Sequence, residues 1–118
     1  MPSENVTLQE LKKMVDTGTN YTLIDVRQTH ELVHGMIPTA KHVALPEIPN
    51  ALELPPVKFE KKYGFKKPGK NENLIFYCRT GGRSHTAAVI ARQKGFNAQN
   101  FVGGVYAWSA IDKNVKKY

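Results

Sequence analysis

Cys78, Arg79, Thr80, Gly81, Gly82, Arg83 and Ser84 follow one another without interruption, and this run gathers the parts of a reactive site around one sulfur. The thiolate is the nucleophilic form, and a free thiol with a pKa near ~8.5 is only slightly ionised at neutral pH. A downward shift of about two units, or about 2.7 kcal/mol of preference for the anion, makes it mostly ionised. Gly81 and Gly82 admit positive φ, so backbone N–H groups can turn inward around a common centre, while a helix starting just after them adds unpaired donors and partial positive charge. Arg79 and Arg83 strengthen the same field, and two guanidinium groups suit the oxygens of a sulfonate-like donor. The run therefore reads as an anion cradle. Cys78 is its nucleophile, residues 79–84 are its binding wall, and a negatively charged sulfur adduct on the cysteine is stabilised by the same donors. A lone cysteine is otherwise most often a small buried hydrophobe. Two arginines, two glycines and a helix start within six residues argue for chemistry instead.

Two other chemistries can be weighed against this one. The cysteine phosphatases also join cysteine and arginine in a cradle, and likeness to them would require Cys-x5-Arg. Here the sixth position after the cysteine is Ser84 and the arginine comes one residue early, so the tighter loop favours a group smaller than phosphate, such as a single transferred sulfur atom. His30-Glu31-Leu32-Val33-His34 matches the His-Glu-x-x-His pattern that puts two imidazoles on one helix face for zinc. Gly35 and Pro38 end that helix too soon, and neither His42 nor Glu53 supplies a third ligand at a recognised spacing. The segment reads as a surface helical turn with Glu31 paired to Arg27 across an i, i+4 interval. No metal or organic cofactor is expected.

A cradle of this kind needs a strand to deliver the cysteine and a helix to receive the chain. Leu74-Ile75-Phe76-Tyr77 is apolar throughout, with turn chemistry before it and glycines after, and predicts a central buried strand ending at Cys78. Residues 84–94 predict a helix with Ala87, Ala88, Ile90 and Ala91 on its apolar face and Gly95 as its stop. In an open parallel sheet, ligands bind beyond the carboxyl ends of the strands, which is the address of Cys78. Upstream, Thr7 and Glu10 stand at capping-box spacing, and Leu8, Leu11, Met14 and Val15 recur at helical intervals, predicting a helix over 7–16 closed by Gly18. Residues 21–26 read as a buried strand with Asp25 near its end, 28–34 as a helical turn, 42–45 as a second short strand and 57–63 as a short helix behind two prolines. Asn100-Phe101-Val102 predicts a last strand, Gly103-Gly104 a turn, and 105–111 a closing helix with Trp108 in the core. Alternating strand and helix signals define an α/β fold, a mostly parallel sheet with helices on both faces.

Composition narrows the function further. At 118 residues the chain is expected to be one domain, spanning 1–118, and its 41% apolar and 23% charged content is that of a folded globular protein. One cysteine leaves no intrachain disulfide and no Cys-x-x-Cys pair. Seventeen basic against ten acidic side chains give a formal charge of +7. The lysines gather at 58–70 and near the C-terminus without the aromatic interleaving of an RNA-binding surface, so small anionic substrates rather than nucleic acid are the expected partners. No apolar run approaches the roughly 20 residues of a spanning helix, so no membrane partner is expected. Met1-Pro2-Ser3-Glu4-Asn5 shows no targeting pattern, which makes the cytosol the expected compartment, a mitochondrial one being compatible as well.

With these residues in hand, the sequence resembles the single-domain rhodaneses, or thiosulfate sulfurtransferases, most closely the small eukaryotic thiosulfate:glutathione sulfurtransferase type. Leu23-Ile24-Asp25-Val26-Arg27 resembles the first signature of that family, Gly35 with Ile37, Pro38 and Ala40 the second, residues 78–84 the active-site loop, and Gly103-Gly104 with Trp108 the C-terminal signature. The chain departs from the pattern at Met36, where histidine often stands, and at Thr39, where glycine does. The resemblance implies a rhodanese-like α/β fold with five strands and a persulfide on Cys78. It also implies binding of donor and intermediate by Arg79, Thr80, Gly81, Gly82, Arg83 and Ser84, and structural support from Asp25 and Arg27. Thiosulfate is the implied donor, and a thiol such as glutathione or thioredoxin, or cyanide in an assay, the implied acceptor. The rival from another class is a sulfur-carrier or regulatory rhodanese-like binding module, which would take sulfur from a protein donor or dock a partner.

Overall fold

The computed structural model describes residues 4–118, so the reading of Met1, Pro2 and Ser3 as part of an untargeted N-terminus falls outside the described residues. Along the chain come β1 (Asn5–Val6), α1 (Leu8–Thr17), β2 (Thr22–Asp25), a 3-10 helix (Thr29–His34), β3 (Lys41–His42), a 3-10 turn (Leu45–Glu47), α2 (Ile48–Ala51), α3 (Pro56–Tyr63), β4 (Leu74–Tyr77), α4 (Gly82–Gln93), β5 (Ala98–Phe101) and α5 (Gly104–Trp108). The strands lie in the order β1-β5-β4-β2-β3. Every pairing is parallel, so the sheet is wholly rather than mostly so. No helix among the described residues is long and apolar enough to cross a membrane.

Local chemistry accounts for the elements read correctly. Thr7 caps α1 reciprocally: its Oγ1 accepts from the Glu10 N–H at 3.1 Å and the Glu10 carboxylate accepts from the Thr7 N–H at 2.9 Å. Gly18 closes the same helix with its N–H on the Met14 carbonyl at 2.8 Å. The strand expected over 42–45 is shorter. Val43 and Leu45 still donate to the Asp25 and Val26 carbonyls, but Pro46 turns the chain into a 3-10 turn directly afterwards. The closing helix spans Gly104–Trp108 rather than 105–111. β1 and α2 were not expected at all.

Alternation along the strands divides the core in two. Ile24, Val26, Leu74, Phe76 and Cys78 face one way, against Ile48 of α2, Phe59 of α3 and the Ala87, Ala88 and Ala91 face of α4. Leu23, Ile75 and Tyr77 face the other way, against Leu11 of α1 and Val105 and Trp108 of α5. Helices thus cover both faces, and β4 is buried along its whole length.

β2 connects onward to β3 on one side of the sheet, whereas β4 connects to β5 on the other. Their carboxyl ends therefore flank the crevice at which the strand order reverses, where ligands bind in such sheets. Arg27 lies just past β2 and Cys78 just past β4. The Arg27 side chain is fully buried beside Asp25, with Nη2 to Oδ2 at 2.8 Å and Nε on both carboxylate oxygens at 3.0 and 3.1 Å. Its remaining donors reach the backbone oxygens of Gly35 at 2.8 Å, Glu31 at 3.3 Å and Tyr118 at 3.4 Å. One guanidinium so ties the end of β2 to the following 3-10 helix and to the C-terminal segment. Because its charge is desolvated and paired, removing one partner leaves the other uncompensated. Arg27→Met should therefore cost about 3–5 kcal/mol of unfolding free energy in urea titrations, and a loss within experimental error would show that Asp25 needs no partner.

Candidate active site

Cys78 lies where β4 ends, on the α4 side of the sheet, and is only 1% exposed. It is deeper than its position at a crevice mouth suggested, because alternation from Leu74 and Phe76 turns it onto the core beneath α4. Burial alone would push the thiol up. The surroundings pull it down: the Ser84 hydroxyl and the backbone N–H groups of Ser84, Gly81 and Thr80 all bond the sulfur, and the net shift is below the ordinary cysteine value. The Gly81 N–H lies 3.1 Å from Sγ and the Ser84 Oγ 3.4 Å. α4 carries neither a capping side chain nor an acid in its first turn. At its start the N–H groups of the N-cap Gly81 and of Ser84 bond the sulfur, so Cys78 Sγ stands in for the acceptor that a capping side chain would supply.

The outer side of the loop explains why its donors face inward. In a trans peptide the N–H points opposite to the preceding C=O. The Cys78 carbonyl accepts from the Val105 N–H at 3.0 Å, and the Arg79 carbonyl from the Tyr106 N–H at 3.1 Å. Holding the Arg79 oxygen outward sends the Thr80 N–H toward Sγ. The Gly81 carbonyl accepts from the His85 N–H at 3.0 Å and from the Asn100 amide nitrogen at 3.1 Å. Two glycines permit this clasp. Gly81 has φ +97°, and a Cβ there would stand 2.5 Å from the Val102 oxygen; Gly104 has φ +58°, and a Cβ there would strike the Cys78 and Arg79 oxygens. Asn100, Val105 and Tyr106 escaped the sequence reading as site residues. Only the Gly103-Gly104 pair hinted at a close backbone approach there.

The charged residues are arranged differently from the sequence-based expectation. Glu31 does not pair with Arg27. It takes Arg83 in a bidentate contact, Nη1 to Oε1 at 2.6 Å and Nη2 to Oε2 at 2.8 Å, across the crevice between the segment after β2 and α4. The physical reason is that Asp25 already saturates the carboxylate-binding side of Arg27, and a 3-10 segment does not align i with i+4. Arg79, exposed at the rim, donates from Nε to the Lys117 carbonyl at 3.0 Å. In the His-Glu-x-x-His segment, His34 packs on the Tyr118 ring at 5.5 Å between centroids and Glu31 is held by Arg83, so these residues serve the loop and the C-terminal segment.

The sequence matches the rhodanese-like domain over residues 7–111. The chain belongs to the rhodanese-like family. Its relatives include the mouse protein named thiosulfate sulfurtransferase/rhodanese-like domain-containing protein 3, 38% identical over 97% of this chain and 73% of that one. Human thiosulfate:glutathione sulfurtransferase is 34% identical over 87% of this chain and 90% of its own. The solved structure of the human single-domain sulfurtransferase TSTD1 superposes with a TM-score of 0.89 at 31% identity, covering 94% of this chain and 99% of that one. The rhodanese-like fold also gives meaning to Thr39, which departs from the glycine of the signature. It has φ +75°, a conformation costly for a β-branched residue, and its hydroxyl is bonded to the Tyr21 hydroxyl at 2.7 Å.

Glu31 offers a titration test. Its bond to Arg83 outweighs its partial burial, and with the Gln28 N–H and the charges of Arg83 and Arg27 it brings the carboxyl from 4.5 to about 2. A depressed native value means the stabilisation is fully present above about pH 4.5 and is lost as pH falls through about 2. The unfolding free energy of the parent should exceed that of Glu31→Gln at neutral pH, and the gap should close on acidification across this window. A gap independent of pH would remove the ion pair from the acid response.

Proposed function

We propose that the protein is a thiosulfate sulfurtransferase that works by double displacement at Cys78. The family and the activities named for its relatives support the enzyme class. The observation that carries the mechanism is the ring of donors on Sγ, from Thr80, Gly81 and Ser84, with no charged side chain among them. Those donors favour an anionic sulfur before attack and again after it, which is where charge resides throughout the reaction.

In the first step the Cys78 thiolate attacks the outer sulfur of thiosulfate. The new S–S bond forms as the old one breaks, and its electron pair leaves with sulfite. The persulfide left on Cys78 carries the negative charge on its terminal sulfur, within reach of the N–H groups of residues 80–84. In the second step a thiolate attacks that terminal sulfur, becomes a persulfide itself and returns Cys78 to its thiolate form. Charge and atoms balance in each step without an oxidant. Glutathione is the acceptor that the name of the human relative supports; thioredoxin and cyanide are further acceptors in the same chemistry.

Arg79 and Arg83 hold the sulfonate end of the donor. Two of the five N–H groups of the Arg83 fork are engaged by Glu31, which leaves three for an oxyanion and fixes the plane in which they lie. Asp25 and Arg27 support the crevice from the neighbouring strand and do not enter the reaction.

Treatment with thiosulfate should leave Cys78 heavier by one sulfur atom in mass spectrometry, and addition of glutathione should discharge it with turnover. An unmodified cysteine during full turnover would end the mechanism, and loading only by a protein desulfurase would assign the domain to sulfur carriage. Arg83→Ala should raise the thiosulfate KM by about tenfold, as expected for loss of a charge-assisted contact of about 1.4 kcal/mol. An unchanged KM would take Arg83 out of donor binding.

A further inference from the structure

Asn100 sits in the middle of β5, 2% exposed, and its backbone is already occupied in the sheet, the N–H donating to the Glu4 carbonyl at 2.9 Å. Its side chain does something else. Nδ2 donates to the Gly81 carbonyl at 3.1 Å, while Oδ1 is buried with no hydrogen-bond partner among the described residues. The orientation of the amide is fixed by chemistry, because exchanging its two ends would set oxygen against oxygen at Gly81. A buried acceptor left unpaired is destabilising. An apolar side chain of similar shape would fill the position without that cost. The amide is therefore worth keeping for its one bond, and that bond goes to the loop that holds the nucleophile.

The bond falls at the weakest peptide in that loop. Rotating a peptide plane changes ψ of the residue before it and φ of the residue after it, and here both neighbours are glycines, Gly81 and Gly82, for which either orientation is sterically open. Rotation would turn the Gly81 oxygen toward the cradle and its partner N–H away. We infer that Asn100 is a positioning residue for the reaction, its side-chain amide locking the peptide between Gly81 and Gly82 so that the Gly82 N–H, and not the Gly81 oxygen, faces the sulfur cradle. The His85 N–H holds the same oxygen as the first bond of α4, so the lock has one strand-borne and one helix-borne half. Asn100 touches neither the sulfur nor a substrate on this account, and acts through the peptide alone.

The inference rests on the sulfurtransferase reading only for its effect on turnover, and its decisive measurement uses no sulfur donor. The ultraviolet absorbance of the thiolate is followed against pH, with Cys78→Ser as the blank, since Cys78 is the one cysteine in the chain. In Asn100→Leu the titration midpoint should rise by about one pH unit, kcat with thiosulfate should fall about tenfold, and the thermal midpoint should stay level or rise because the orphaned oxygen is gone. A purely structural residue would show the opposite pattern, a lower thermal midpoint with the titration unmoved. That pattern, or an unmoved titration in a fully stable variant, overturns the inference. Asn100→Asp preserves the shape if the leucine variant fails to fold, and above neutral pH it sets a carboxylate against the Gly81 oxygen; it should move the titration the same way, and an unmoved midpoint there is equally fatal. If the parent protein turns over no thiosulfate at all, the sulfurtransferase reading fails while the titration still decides the role of Asn100.

Discussion

The oxygens of Cys78, Arg79 and Gly81 all turn away from the sulfur, and each meets a donor supplied by another part of the chain: the first turn of α5 for two of them, Asn100 and α4 for the third. Peptide geometry then sets the N–H of the following residue on the opposite side, and behind the Arg79 oxygen that N–H is the Thr80 donor on the sulfur. The character of the crevice follows from this arrangement. It explains why the C-terminal glycine pair stands far in sequence from the nucleophile yet against it in space. It also explains why β5 must end beside β4: without that neighbour the outward oxygens would lose their donors, and the loop could turn them toward the thiol.

Cys78 is a balance of opposed tendencies. Its place on the apolar cluster under α4 favours the neutral thiol, whereas its donors favour the anion, and the donors prevail. They prevail with neutral dipoles. The Arg83 guanidinium, shared with Glu31, adds a Coulombic attraction to the sulfur beside these dipoles. Dipoles fixed by a folded backbone are already oriented before any charge develops, which makes them an efficient way to favour an anionic sulfur. The formal excess of +7 is carried largely by lysines that gather at 58–70 and near the C-terminus, outside the cysteine loop.

Much of this could be read from the residues in order because the signals are local. The Thr7 and Glu10 cap, the apolar run of β4 and the cysteine loop itself are each written within a few positions. β1 was missed because two residues become a strand only by pairing with β5. α2 was missed because Pro49 looks like punctuation although it stands within the helix's first turn, where proline is tolerated. The Glu31 partnership was misassigned because sequence spacing favoured Arg27, whose fork is saturated by a residue two positions away. Asn100 carried no signal at all. A polar residue opening the strand predicted over 100–102 is unremarkable until the fold shows which carbonyl lies opposite its amide.

The burial of Cys78 bears on how the crevice could be used. With almost no exposed surface on its sulfur, Cys78 presents one atom to any partner, and the exposed Arg79 and Thr80 stand directly after it in the chain. On the proposed double displacement, donor and acceptor would have to reach that one atom in turn, and so would share the ground around it.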